Sequence, residues 1–348
     1  MNRLASIAVS LRSFNPIIRT PFVIEGASHL FLERFGLPFL TIPSSLELEN
    51  SAEWACWTKS QREELTTRLS KAILQSWKPQ LVVYDCLPSL HFSTEVRRNR
   101  IRSAFCVRQV KNFEAYANDP RVGPAISDAQ VLIVPHSAAT FPLPKHLLHK
   151  TVYVGDIVSP TAISGPKSTR DLAEGQRMVI ITGGGGGHVR TVEFYNLVVN
   201  ALRTIMAGRD DLYVLLVTGP LFRGWDRLLP TDKIHVSPYE PELSSLFSGS
   251  ALVISQAGYN SMVELATLGV TTICIPQTRA FDDQFERAMV FSQRNENFSV
   301  FQGGESEKLA SLICECLKKS TVRKVAVSSR AVYGAQLAGE VLMQLLEH

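Results

Sequence analysis

The sequence predicts an α/β protein made of two doubly wound domains. Short apolar runs typical of buried parallel strands alternate with segments of helical periodicity. At 348 residues the chain is too long for one typical core and suits two domains of about 150 residues each. Prolines, glycines and scattered charges predict an exposed linker at residues 159–176. We therefore expect domains at 1–158 and 177–325, followed by a helix at 326–348.

The bulk composition is that of an ordinary globular protein, with 45% hydrophobic and 20% charged residues. A net charge of +4 would suit a phosphate-bearing substrate or an anionic membrane surface, but it requires neither. The apolar runs are too short for a membrane span, so any membrane contact is expected to be peripheral. We expect no nucleic-acid partner, and association with a second copy of the chain stays open.

The cysteines indicate a reducing compartment. They lie mostly within apolar runs, and no C-x-x-C pair is present that could begin a zinc site or a redox motif. The six are Cys56, Cys86, Cys106, Cys274, Cys314 and Cys316. A cytoplasmic protein, either free or at the inner face of the membrane, is the simplest expectation.

The first domain is expected to begin with a helix, because Leu4, Ile7 and Leu11 recur at helical spacing. In the usual doubly wound order the first strand is central. Without it, neighbouring strands would leave backbone groups unpaired in the core, at about 1 to 3 kcal/mol each. Three explanations stay open: the strand lies upstream, the sheet has closed over the gap, or a partner supplies the strand.

Asp85 is the candidate catalytic residue of the first domain. It ends the predicted strand at residues 80–84, where side chains of such sheets face the ligand crevice. An acid there could act as a general base or could cap a helix.

The second domain opens with a glycine run between a strand and a helix. Such a run lets backbone N–H groups approach a phosphate closely. Its candidate binding residues are Gly184, Gly185, Gly186, Gly187 and His188. His188 could help to neutralise a phosphate or could cap the loop. The next strand ends at Thr218 without an acid, and no G-x-x-x-x-G-K-[ST] motif is present, which argues against a nicotinamide cofactor site and a P-loop.

The stretch from Ala251 to Ala288 carries the most specific signal. A buried strand is followed by Gly258, which is expected to free the backbone where Asn260 or Ser261 caps a helix. Glu264, three residues after Ser261, fits a capping box and could equally meet the sugar of a bound nucleotide.

A second strand in this stretch ends at Pro276, and a polar loop then opens the helix that carries Gln284 and Arg287. Because the loops that follow parallel strands open on the same edge of a sheet, these polar residues should converge on one crevice.

At these residues the chain resembles the nucleotide-sugar glycosyltransferases of the glycosyltransferase-B type, whose members include the peptidoglycan N-acetylglucosaminyltransferase with its family 28 C-terminal domain. The matching residues are Gly258, Asn260, Ser261, Glu264, Pro276, Asp283, Gln284 and Ala288. Many relatives have two glycines where this chain has Ala257-Gly258. The resemblance implies two Rossmann-like domains with a cleft between them, the first lacking its first strand here. It also implies that the helix at 326–348 packs back on the first domain.

The resemblance also implies roles for the candidate residues. The turn at Gly258 and the helix start would hold a diphosphate, Glu264 would bind the ribose, and Asp283 with Gln284 would reach the donor sugar. Tyr239 would lie where the nucleobase meets the backbone. The glycine loop at 184–188 would contact donor phosphates or, across the cleft, the acceptor.

The implied activity is transfer of a sugar from a UDP-sugar to the hydroxyl of an unidentified acceptor, with the UDP-sugar as co-substrate and no other cofactor. Metal independence is expected, because the chain has no D-x-D motif. In this family a histidine in the first loop is the proposed base. Since that loop is not found before the first helix, Asp85 is the remaining candidate. A UDP-sugar hydrolase or 2-epimerase, or a non-catalytic binding protein, are the alternatives.

Overall fold

The computed structural model describes residues 2–25, 30–43, 56–158, 172–188, 190–229, 233–279, 281–320 and 330–347. Most of the predicted linker, residues 159–171, lies outside these ranges. The chain divides into two compact units, one formed by Met1–Ile157 with Val332–His348 and the other by Val158–Ala331.

In the first unit, helices alternate with short strands in chain order. They are α1 (Asn2–Phe14), β1 (Phe22–Glu25), α2 (Leu30–Arg34), β2 (Phe39–Ile42), α3 (Lys59–Trp77), β3 (Leu81–Asp85), α4 (Leu90–Arg98), β4 (Arg102–Cys106), α5 (Phe113–Ala117), α6 (Val122–Asp128), β5 (Val131–Val134) and β6 (Thr151–Tyr153). A 3₁₀ turn at Lys145–Lys150 precedes β6.

The strands of the first unit form two separate parallel sheets, one of β1 and β2 and the other in the order β3-β4-β5-β6. In the doubly wound order, β1 and β3 are the neighbours of the first strand. Among the described residues neither pairs with the other. The explanation that the sheet has closed over the gap is therefore wrong for this part of the chain.

Helix α1 packs against both sheets through opposite faces. Ala5 and Ala8 lie in an apolar cluster with the partly buried strand residues Phe22 and Phe39. Ile7, by contrast, lies in the cluster that covers β3 to β6. Apolar residues on two faces of the helix thus hold the divided sheet together where strand pairing does not.

In the second unit, strands and helices also alternate. They are β7 (Arg177–Thr182), α7 (Thr191–Met206), β8 (Leu212–Val217), β9 (His235–Ser237), α8 (Leu243–Gly249), β10 (Leu252–Ser255), α9 (Tyr259–Leu268), β11 (Thr272–Cys274), α10 (Gln284–Arg294), β12 (Phe298–Val300) and α11 (Ser306–Lys319). The last helix of the chain, α12 (Arg330–Glu347), packs in the first unit, where Ala338 and Leu342 are buried in a cluster with Ile7.

The six strands of the second unit form one parallel sheet in the order β12-β11-β10-β7-β8-β9. The chain builds outward from β7 to β9, returns to the centre at β10, and builds outward again to β12. The switch point between the two halves is therefore the pair β7–β10. Alternating residues of β7 enter two different apolar clusters, one on each face, as expected for a parallel sheet covered by helices.

Across the described residues, no helix has the length and apolar character that a membrane span requires.

Candidate functional site

The carboxyl edge of the second sheet brings most of the predicted binding residues together. The glycine loop follows β7, and the turn at Gln256–Gly258 follows β10. These strands pair in parallel, with Thr182 opposite Ser255 at their carboxyl ends. Because the two strands end side by side, their loops are neighbours at the switch point, where open α/β sheets bind ligands.

Part of the glycine run is required by packing alone. A side-chain carbon at Gly186 would lie 2.2 Å from the carbonyl oxygen of Thr218, and one at Gly219 would lie 2.3 Å from that of Gly184. The Leu221 amide also donates to the carbonyl oxygen of Gly185, at 3.0 Å. These contacts fasten the loop after β7 to the loop after β8.

Two other glycines face open space. At Gly258 no atom lies within 4 Å of the position that a side chain would take, and at Gly185 the nearest atom is 3.9 Å away. Gly258 has an ordinary φ of −65°, so its backbone conformation does not require glycine. The fold would accept a methyl group at Gly258, and its absence leaves the backbone open to a ligand.

The turn after β10 differs from the prediction. The left-handed residue is Ala257, with a φ of 56°, and helix α9 begins at Tyr259 with Gly258 as its N-cap. Asn260 and Ser261 therefore lie inside the first turn instead of capping it, and the predicted capping box with Glu264 is wrong. Gly258 has no side chain that could cap this helix, so a bound anion could accept from the backbone N–H groups of its first turn.

A buried arginine holds this turn. Arg287 is 3% exposed, donates through Nη1 to the carbonyl oxygen of Ala257 at 3.1 Å, and pairs with Asp282. Its guanidinium also lies 5.8 Å from the centre of the Tyr259 ring. A left-handed alanine costs about 1 to 2 kcal/mol. Arg287, which the sequence placed on a helix without a role, stabilises that conformation and ties the loop after β11 to the turn after β10.

Glu264 lies in the second turn of α9 and is 8% exposed. Its Oε2 accepts a hydrogen bond from the Ser244 hydroxyl of α8 at 3.2 Å. The bond from a hydroxyl to this carboxylate is of the kind that a sugar hydroxyl would make.

Asp283 and Gln284 both stabilise the loop that precedes α10. Asp283 caps the helix by accepting from the Glu286 amide at 3.0 Å. The buried Gln284 accepts through Oε1 from the Gln277 amide at 2.9 Å. Their predicted contact with a donor sugar stays a prediction, and each already holds a structural bond.

Tyr239 follows β9 at the same edge of the sheet and is half-buried. The Ser237 hydroxyl donates to the Tyr239 carbonyl oxygen at 3.0 Å, which orients the backbone of this loop. Its place beside a nucleobase stays a prediction.

His188 caps its own loop. Its Nδ1 accepts from the Arg190 amide at 3.3 Å, so the ring proton belongs on Nε2. Burial, followed by the charges of Arg279 and Arg190, lowers the pKa of His188 below its usual value. The shift favours the neutral imidazole, and the predicted contact of His188 with a phosphate stays a prediction.

Arg279, in the loop after β11, is a cation at this edge that the sequence analysis did not single out. Its Nη2 donates to Oε1 of Gln256 at 3.1 Å. The only available sequence signal was a basic residue within an otherwise polar loop.

Asp85 lies in the first unit, at the carboxyl end of β3. Its Oδ1 accepts from Nη2 of the buried Arg3 at 2.9 Å and from the Cys86 thiol at 3.0 Å. Burial alone would raise the pKa of Asp85, but Arg3 holds it well below its usual range. A carboxylate of such low basicity is a weak proton acceptor near neutral pH, so its predicted role as a base gains no support from this pairing.

The described residues contain no group of three or more histidine, cysteine or acidic side chains placed to hold a metal ion. The cysteines are free thiols, and burial raises the pKa of the Cys274 thiol to about 12.

Comparison with known proteins finds a family match over most of the second unit. Residues 178–338 match the glycosyltransferase family 28 C-terminal domain. Curated relatives are enzymes named UDP-N-acetylglucosamine–N-acetylmuramyl-(pentapeptide) pyrophosphoryl-undecaprenol N-acetylglucosamine transferase. The protein of Desulfotalea psychrophila is 25% identical over 201 residues, which cover 55% of this chain and 50% of the relative. That of Chelativorans is 27% identical over 225 residues, 61% of this chain and 56% of the relative. The match thus spans about half the length of these relatives.

Solved structures show the same fold. A UDP-GlcNAc 2-epimerase from Neisseria meningitidis bound to UDP-GlcNAc has a TM-score of 0.67 at 13% identity, covering 100% of this chain and 96% of that one. The calicheamicin glycosyltransferase CalG4 has a TM-score of 0.60 at 12% identity, covering 99% and 95%. The predicted fold of two Rossmann-like domains and the resemblance to glycosyltransferases of the B type are confirmed.

The buried pair of Arg3 and Asp85 gives a prediction about stability. Asp85→Asn leaves the Arg3 guanidinium without its carboxylate, which should cost on the order of 3 kcal/mol of unfolding free energy at pH 7. The Asp85 pKa is lowered in the folded state, so its contribution is present above the unfolded pKa of about 3.9 and is lost as the pH falls further. Urea unfolding of the parent protein and of Asp85→Asn should therefore show a difference in unfolding free energy that is smaller at pH 3 than at pH 7.

The matched control is Asp128→Asn, which breaks the exposed Arg97–Asp128 pair of the same unit and should cost less than about 1 kcal/mol. An Asp85→Asn variant that is as stable as the parent but loses catalytic activity would assign Asp85 to catalysis instead.

Proposed function

We propose that this protein is a glycosyltransferase that moves a sugar from a UDP-sugar to an acceptor hydroxyl. The observation that carries the proposal is the uncapped N-terminus of α9 behind the open backbone of Gly258, beside the glycine loop at the sheet's switch point. Both features lie inside the segment that matches the glycosyltransferase family 28 domain. The curated relatives are named as UDP-N-acetylglucosamine-dependent transferases.

In the proposed reaction, the acceptor oxygen attacks the anomeric carbon of the donor sugar, and the bond from that carbon to the diphosphate oxygen breaks. The electron pair leaves with UDP, and the acceptor proton passes to a base. The departing group gains negative charge, which the amides of the glycine loop and the N-terminus of α9 would stabilise. We propose that no metal is needed, because these backbone dipoles and a cationic side chain supply the electrostatic support.

The candidate residues take roles that suit their positions. Glu264 would bind the ribose hydroxyls with the carboxylate that already accepts from Ser244. Asp283 and Gln284 would present their remaining polar atoms to the donor sugar, and Tyr239 would lie beside the nucleobase.

The names of the curated relatives include a pyrophosphoryl-undecaprenol acceptor. This supports an acceptor carried on a lipid and a cytoplasmic position peripheral to the inner face of the membrane. The proposal is compatible both with a monomer and with a homo-oligomer of this chain.

A UDP-sugar 2-epimerase or hydrolase is the second candidate. It is favoured by the similarity to structures of UDP-GlcNAc 2-epimerases, among them one from Listeria monocytogenes with a TM-score of 0.65. Such an enzyme would use the same nucleotide contacts but would release UDP without an acceptor.

The deciding experiment is incubation of the protein with a panel of UDP-sugars, with and without lipid-linked and soluble acceptors, while UDP release is measured. Release that requires an acceptor supports the transferase. Release without an acceptor indicates the hydrolase or epimerase, and binding without release indicates a non-catalytic protein.

Glu264→Gln should weaken UDP binding by roughly 1 to 3 kcal/mol, because it removes the charge from a hydrogen bond to the ribose. Thermal stability should change little, since Gln can still accept from Ser244. Calorimetry with UDP checks this, and Glu307→Gln on the exposed face of α11 is the control. Unchanged UDP affinity in Glu264→Gln would remove Glu264 from the site.

Gly258→Ala tests whether the open backbone serves a ligand. Because the methyl group meets no atom of the protein, unfolding free energy should change by less than about 1 kcal/mol. UDP affinity should fall at least roughly tenfold, since the methyl occupies the space through which a phosphate approaches the helix N-terminus.

Gly208→Ala is the matched control. Its methyl also meets open space, but Gly208 lies before β8 at the opposite edge of the sheet. Normal UDP binding by Gly258→Ala would show that the diphosphate does not lie at this turn.

A further inference from the structure

Side chains from two loops meet at the switch point of the second sheet, next to the glycine loop. Gln256 is the first residue after β10, His188 ends the loop after β7, and Arg279 lies in the loop after β11. Nη2 of Arg279 donates to Oε1 of Gln256 at 3.1 Å. The positive charge of Arg279 also acts on His188, whose pKa it lowers. The Arg279 guanidinium therefore links the loops that follow the neighbouring strands β10 and β11.

The amide of Gln256 presents an unused donor. The residue is only 2% exposed, and its Nε2 is buried without a hydrogen-bond partner. Nearly all buried polar groups in proteins are paired, so an orphaned donor calls for an explanation. The bond from Arg279 to Oε1 fixes the orientation of the amide, which holds Nε2 in place for an acceptor that arrives with a ligand.

The surroundings favour an anionic acceptor. Gln256 directly precedes the Ala257-Gly258 turn, which leads into the N-terminus of α9. A guanidinium, a buried amide donor and a helix N-terminus together form the donor set that binds phosphate oxygens.

We propose that Arg279, positioned by Gln256, binds the diphosphate of the nucleotide-sugar donor and stabilises the charge that it gains as it leaves. This inference rests on the proposed function and adds a residue that touches the leaving group. When the bond between the anomeric carbon and the diphosphate oxygen breaks, the electron pair stays on that oxygen. A guanidinium bonded to the same phosphate favours the departing state over the intact donor.

Two consequences distinguish this role from general attraction of anions. Affinity should rise from uridine to UMP to UDP, and the increments should depend on Arg279. With a UDP-sugar that the enzyme turns over, loss of Arg279 should lower kcat more than it raises KM, because the charge is largest as the diphosphate leaves.

The test compares the parent protein with Arg279→Ala, Arg279→Lys and Gln256→Met. Calorimetry with UDP, UMP and uridine should show UDP affinity at least tenfold lower in Arg279→Ala, with uridine affinity unchanged. Arg279→Lys should recover part of the loss, because it restores the charge without the planar guanidinium. Gln256→Met keeps the bulk but removes the orphaned donor, so it should fold normally and bind UDP more weakly than the parent.

Arg223→Ala is the charge-matched control, since Arg223 is an exposed arginine in the loop after β8 at the same edge. It should retain UDP affinity within about twofold, and thermal unfolding of every variant confirms the fold. If Arg279→Ala keeps the parent's ratio of UDP to uridine affinity, the assignment of Arg279 is overturned while the proposed function stands. If the parent itself binds UDP no better than uridine, the proposed function fails, and this inference falls with it.

Discussion

The pairing of β10 with β7 is the interaction on which the candidate site depends. These strands are separated in sequence by two strands and two helices, yet they lie side by side at the centre of the sheet. Both run in the same direction, so the glycine loop and the Gln256–Gly258 turn leave the sheet at adjacent points. A one-residue slip in this register would turn alternate side chains of β10 to the opposite face and misplace the turn.

The glycines at this edge are present for two different structural reasons. Gly186 and Gly219 are needed because the loops after β7 and β8 touch through their backbones. Gly258 is not needed by the fold, whereas Ala257 carries the left-handed conformation that a glycine would adopt without strain. The buried Arg287 and the apolar packing of the Ala257 methyl offset that strain. A chain with glycine at both positions of this turn could form it without such support.

The sequence predicted the elements well wherever local periodicity decides them. The β7 and β10 runs are continuously apolar because helices cover both faces, and the glycine run between β7 and α7 marked the loop. The sequence alone did not show which side chains make tertiary contacts. Nothing local indicates that Asp85 pairs with Arg3, 82 positions away, or that Arg279 reaches Gln256 from another loop. The start of α9 was misplaced because Gly258 is the more usual left-handed residue, and only the surrounding packing moves that conformation to Ala257.

Charge at this edge is set by groups that do not titrate near neutral pH. Arginine side chains stay charged in proteins, and backbone dipoles carry no proton to lose. Burial and the cationic neighbours of His188 lower the pKa of its imidazole, which extends the neutral form to lower pH. An anion bound beside it would raise that pKa again, because opposite charge favours the imidazolium. Anion binding at this edge would therefore be linked to proton uptake by His188, and the coupling would be felt on the acidic side of neutrality.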